Sequence, residues 1–121
     1  MLQILLVATG GAVGAISRFS LTYLMQFFIA GYLGTLLINI IGSFLIGYFI
    51  SIGYLKSFSE EFIRYFLIIG FLGSFTTFSA FSYEVIELIL SKKMLISTIY
   101  IFSSVFLCIL SAYIGMSLNR F

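Results

Sequence analysis

Long apolar runs separated by short polar segments dominate the chain. Arg18 is the only charged residue before Lys56. That interval is too long for one helix, because a bilayer core of about 30 Å takes roughly 20 apolar residues. Ala30-Gly31 interrupts it near its first third, which predicts spans over 2–28 and 32–54. Between Arg64 and Glu84 stand 19 uncharged residues, and between Lys93 and Arg120 stand 26. They predict a third span over 62–90 and a fourth over 94–118, with both termini on one side. The expected fold is an all-α membrane protein, one four-helix transmembrane domain over 1–121. Ser57-Phe58-Ser59-Glu60 has capping-box spacing, and Glu60 and Arg64 are an i,i+4 pair at the expected start of the third span.

The polar residues inside the apolar spans repeat with helical spacing. In the first span Gly10, Gly14 and Arg18 share a face, where small residues let helices approach closely. A cation in a span is costly and usually faces a bundle interior or water, so Arg18 is a candidate vestibule charge. In the second span Thr35, Asn39, Ser43 and Gly47 recur at i+4. Asn39 falls near the middle, where a buried amide needs partners that hydrocarbon does not offer. In the third, Gly70, Gly73, Ser74, Thr76, Thr77 and Ser79 crowd into ten residues. Glycine and β-branched threonine both weaken a helix. A broken helix in a membrane is tolerated only inside protein or at a cavity, and freed backbone groups at such breaks bind ions. Phe78 and Phe81 sit at i+3 beside the expected break, and Glu84 closes the segment as an interfacial charge or a guard at an entrance. In the fourth span Ser97, Tyr100, Ser104, Cys108, Ser111 and Gly115 mark one face over five turns. That face is either a hydroxyl track for a small ion or small-residue packing.

Composition narrows the reading. The chain is 62% hydrophobic and 8% charged, with a mean hydropathy of +1.23. Soluble domains carry about 25% charged residues, so a soluble fold is excluded. There is no His, no Asp and a single Cys. That leaves no disulfide framework, no zinc cluster and no Ser-His-Asp triad, and no enzyme site can be assembled. A net charge of +2 is too small for nucleic-acid binding. The N-terminal run lacks the basic start of a cleaved leader. Lys56, Arg64 and Arg120 fall on the side of the termini. Lys92 and Lys93, with Arg18 leaning the same way, fall on the other. The positive-inside rule acts on such counts, and here it gives no instruction, so either orientation or both is compatible with the chain.

Together these motifs resemble the fluoride channel family known as Fluc or CrcB. The resemblance rests on the glycine-rich segment ending in Arg18, "GTLLINIIG" around Asn39, "GFLGSFTTFSAFSYE", and the helix carrying Tyr100 and Ser104. It covers essentially the whole chain, and the third motif is the specific one. It implies a passive, fluoride-selective channel in the inner (plasma) membrane, which exports fluoride that enters as HF and so lowers its toxicity. It also implies an antiparallel, dual-topology homodimer, with the third helix broken mid-membrane and two pores along the interface. Carried over, the fluoride pathway comprises Asn39, Phe78, Phe81, Thr77, Ser79, Tyr100 and Ser104. Arg18 and Glu84 are the vestibule charges, and the backbone carbonyls of Gly73 and Thr76 hold a structural sodium ion at the dimer centre. The implied partners are a second copy, fluoride and the lipid bilayer, with no nucleic acid. Two residues depart from the pattern: Ala80 stands where a Thr is common, and Cys108 where a Ser extends the track.

Two rival readings differ on visible features. A small proton-coupled multidrug exporter needs a membrane-embedded Glu in its first helix, and residues 1–59 contain no acid. A non-transporting membrane subunit accounts for the glycines but not for a broken third span facing Asn39.

Overall fold

The computed structural model describes residues 1–53 and 59–120. Five helical elements follow in order: α1 Leu2–Met25, α2 Gly31–Gly53, α3 Phe62–Leu72 with one further turn Gly73–Phe75, α4 Phe78–Leu90, and α5 Met94–Ser117. Among the described residues four stretches are long and apolar enough to cross a membrane: Leu2–Met25, Gly31–Gly53, Phe62–Leu90 and Met94–Ser117. Among the described residues there is no strand. α1 stops at Met25, three residues short of the predicted 28. The Phe27 N–H turns back to the Leu24 carbonyl at 3.4 Å, so a turn begins while the sequence is still apolar. Lys56 and the first half of the expected capping box, Ser57 and Phe58, lie outside the described residues. Ser59 itself accepts from the Phe62 N–H at 3.4 Å.

The polarity of the bundle is inverted relative to a soluble protein. Ile4, Phe19, Phe102, Phe106 and Ile109 are each more than 60% exposed, while Gly10, Gly14, Thr35, Gly42, Ser97, Ser104 and Ser111 are buried. A water-soluble monomer does not carry apolar surface on that scale. In lipid the arrangement is natural, because lipid tails already satisfy apolar faces and helices associate through small residues and close packing.

Glycines set the two main helix pairs. α1 lies on α3, where a Cβ on Gly10 or Gly14 would strike the carbonyls of Phe66 and Phe71. α2 lies on α5 reciprocally, Gly47 against the Ala112 carbonyl and Gly115 against the Phe44 carbonyl. Ile38, Leu72 and Phe75 form one buried cluster joining the pairs, and Phe81, Leu88 and Tyr100 form a second.

The third apolar stretch is wound unusually. Phe62–Leu72 is a π-helix of 11 residues, whereas π geometry commonly appears as single-turn bulges, often at functional sites. Nothing in the apolar pattern distinguishes it from α-helix. After Gly73–Phe75, Thr76 (φ −79°, ψ 153°) and Thr77 (φ −147°, ψ 120°) are extended, and helix resumes at Phe78. The Thr77 hydroxyl accepts from the Ala80 N–H at 3.1 Å, an N-cap that satisfies one of the donors left over at the new helix start. α4 ends in a Schellman arrangement. The Lys93 N–H reaches the Leu88 carbonyl at 2.9 Å and the Lys92 N–H reaches that of Ile89 at 3.0 Å, with Lys92 at φ 59°.

Candidate functional site

The extended pair Thr76-Thr77 is held from across the bundle by Asn39. Its Nδ2 donates to the Thr77 carbonyl at 2.9 Å, and its Oδ1 accepts from the Thr77 N–H at 2.8 Å. One side chain thus satisfies both main-chain groups that the break exposes at Thr77. An amide is the side chain that offers a donor and an acceptor side by side, which explains an Asn in the middle of an apolar helix. The amide's second N–H remains as a donor. Gly42, on the same helix, leaves the room into which Thr76 Cγ2 packs.

The break also changes what its carbonyls face. In a continuous α-helix the N–H of Thr77 would close on the Gly73 carbonyl and that of Ala80 on the Thr76 carbonyl. Here those N–H groups go to Asn39 and to the Thr77 hydroxyl. The carbonyls of Gly73 and Thr76 therefore lose their helical donors, and Gly73 is exposed. The Ser74 carbonyl accepts from Arg18 Nε at 3.1 Å. The sequence suggests Arg18 as a vestibule charge, and the structure ties the half-buried guanidinium to the helical turn just before the break.

A groove of about 280 Å³ opens beside the break. Asn39 and Ser43 line it from α2, Thr76 and Thr77 from the break, Phe78 and Phe81 from α4, and Ser104 and Cys108 from α5. Among the described residues no carboxylate lines it. The two phenylalanine rings stand 5.2 Å apart at 47° in very different settings. Phe81 is 7% exposed and packs on Tyr100, whereas Phe78 is 76% exposed. Ser79 lies on the outer face and shares a 3.1 Å hydrogen bond with the Thr77 hydroxyl.

The polar face of α5 divides by function. Ser97 donates to the Val85 carbonyl at 3.4 Å and Ser111 to that of Ile40 at 2.8 Å, so both tie α5 to its neighbours. Tyr100 donates to Glu84 Oε2 at 2.6 Å, and Thr35 donates to the other oxygen at 2.6 Å. Glu84 is thus bound between α2 and α5, while its residue also lines a shallow groove with Tyr32, Glu87 and Lys93. Ser104 is different. Its hydroxyl is buried and has no partner among the described residues. A buried hydroxyl without a partner is costly, and Ser104 carries the one such side-chain atom among the described residues. Thr35, Ser43 and Cys108 belong to these arrangements without having been assigned to the site. The i+4 spacing with Asn39 was the available signal for the first two.

Comparison with known proteins agrees with this architecture. The family model described as CrcB-like protein, Camphor Resistance (CrcB), matches residues 5–116. A fluoride-specific ion channel FluC of Chlorobium phaeobacteroides (strain BS1) is 39% identical over 118 residues, covering 97% of this chain and 92% of that one. One of Magnetococcus marinus is 36% identical over 121 residues, covering 98% of each. The fluoride-specific ion channel FluC 1 of Methanosarcina acetivorans is 40% identical over 117 residues, covering 95% and 88%.

Proposed function

The chain belongs to the CrcB family, and from that premise we propose that it is a fluoride-selective passive channel of the plasma membrane, exporting cytoplasmic fluoride. The observation that carries the reading is the break clamped by Asn39, which gathers an amide N–H, an unpartnered hydroxyl and two phenylalanine rings along one groove without a carboxylate. Fluoride is small and strongly hydrated, so a path must replace its water by several donors. The remaining Asn39 N–H and the Ser104 hydroxyl are such donors, with Thr77 and Ser79 adding hydroxyls at the break. Aromatic rings have a negative face and a positive edge, and the edges of Phe78 and Phe81 offer weakly positive C–H groups. An interior-negative membrane potential favours anion exit by about 2.3 kcal/mol per 100 mV, roughly fifty-fold in concentration, so no coupled pump is required.

If ring edges contact the ion, Phe78→Ile and Phe81→Ile each slow fluoride efflux from proteoliposomes at least tenfold while the protein still elutes intact. Aliphatic variants that conduct like wild type at both positions would remove the rings from the pathway.

The working unit in this reading is an antiparallel homodimer. A single chain leaves Phe78 and Gly73 on its surface, and the Lys and Arg residues are balanced between the two ends. Two copies related by a two-fold axis in the membrane bring their breaks, each lying mid-membrane, face to face. The Gly73 and Thr76 carbonyls of both would then hold a sodium ion. The freed carbonyls fit this role, since hard cations take oxygen ligands, and among the described residues no side-chain cluster competes for a metal. Bound there, the ion supplies fixed positive charge that holds the two breaks together. Adding three lysines at one end should lock orientation and abolish activity, and two oppositely locked variants co-expressed should restore it. Full activity from one locked variant alone would exclude dual topology.

A further inference from the structure

Cys108 is the chain's one thiol. A cysteine inside a bilayer is ordinarily a small apolar filler, but this one is half-buried and lines the groove. Ser104, one helical turn away on the same face, lines that groove too, and its buried hydroxyl has no partner. The unmet hydroxyl is free to take a further partner, and the thiol lines the same groove as Phe78 and Phe81. We infer that Cys108 is a covalent modification site whose occupation by a small alkylthio group closes the groove to ions. The inference rests on the channel reading, because closure has meaning only if the groove carries fluoride.

The chemistry is thiol transfer from an alkyl thiosulfonate. The Cys108 thiol gives its proton to water, and its sulfur attacks the sulfenyl sulfur of the reagent. A new S–S bond forms, the S–SO₂ bond breaks, and the sulfinate leaves with the electron pair. A dithiol frees the cysteine again by exchange, releasing the alkylthiol and ending as its own cyclic disulfide. The thiolate is the nucleophile, so the reaction is faster at higher pH.

The test uses wild-type protein and Cys108→Ser in proteoliposomes, treated with benzyl methanethiosulfonate, with fluoride efflux and intact mass read on the same sample. Each protein is normalised to its own untreated rate. The expected result is one benzylthio group per wild-type chain, efflux slowed at least tenfold, and recovery with dithiothreitol, while treated Cys108→Ser keeps its untreated rate. Full labelling with unchanged efflux overturns the inference alone, as does a thiol that takes no label or equal slowing of Cys108→Ser. Absence of fluoride efflux before treatment overturns the channel reading and this inference with it.

Discussion

Asn39→Leu is expected to lower fluoride efflux at least a hundredfold. Leucine has the same branched outline as asparagine but offers neither donor nor acceptor. Both main-chain groups of Thr77 would then face the bundle unpaired, each costing about 1–3 kcal/mol. The extended turn loses the contact that holds it against α2, and the groove loses an anion donor at the same stroke. Asn39→Asp separates the two effects. Its carboxylate can still accept from the Thr77 N–H but cannot donate to the Thr77 carbonyl when ionised, and it brings negative charge to an anion path. It should therefore purify better than Asn39→Leu yet conduct as poorly. Initial efflux rates beside size-exclusion profiles check this. An Asn39→Leu protein within twofold of wild type would detach the clamp from function.

Gly115→Leu is expected to prevent the fold from assembling. A Cβ at Gly115 meets the Phe44 carbonyl carbon at 3.1 Å and the Tyr48 nitrogen at 3.0 Å, with the Phe44 oxygen nearer still. These are backbone atoms of a packed helix, so the neighbour cannot turn aside. Overpacking typically costs about 1–3 kcal/mol, and here the remaining side chain would add to it. α5 would have to leave α2, and the Ser111 bond to Ile40 crosses that pairing. The expected observation is loss of the monodisperse species in detergent. Gly31→Ala is the control, since no atom lies within 4 Å of a Cβ there, and it should behave as wild type. A Gly115→Leu protein as stable as Gly31→Ala would contradict the packing described.

The parts of this architecture that could be read in advance are those written in local pattern. Apolar runs of bilayer length gave the spans, and the 3–4 spacing from Ser97 to Gly115 gave the face of α5 that is buried. Glycines and threonines crowd around Thr76 and Thr77, whose dihedrals are extended. Hydropathy misplaced the end of α1, because Phe27, Phe28 and Ile29 are apolar whether or not they are helical. The π winding of Phe62–Leu72 has no residue signature. What Asn39 does was also hidden, since its partner at Thr77 is 38 positions away and only the bundle brings them together. The hydroxyls of α5 look alike in sequence. Burial against different neighbours makes Ser97 and Ser111 structural bonds, Tyr100 a partner of Glu84, and Ser104 an open donor.

The proposed channel moves fluoride selectively, driven by the electrical potential. The most direct measurement is efflux from liposomes holding only this protein, loaded with potassium fluoride or potassium chloride and diluted into impermeant anion. Fluoride-loaded vesicles should release their anion only after valinomycin lets potassium follow, with no pH gradient needed, and chloride-loaded vesicles should retain theirs under the same conditions. Equal release of both anions, or release that requires a proton gradient, would contradict the channel.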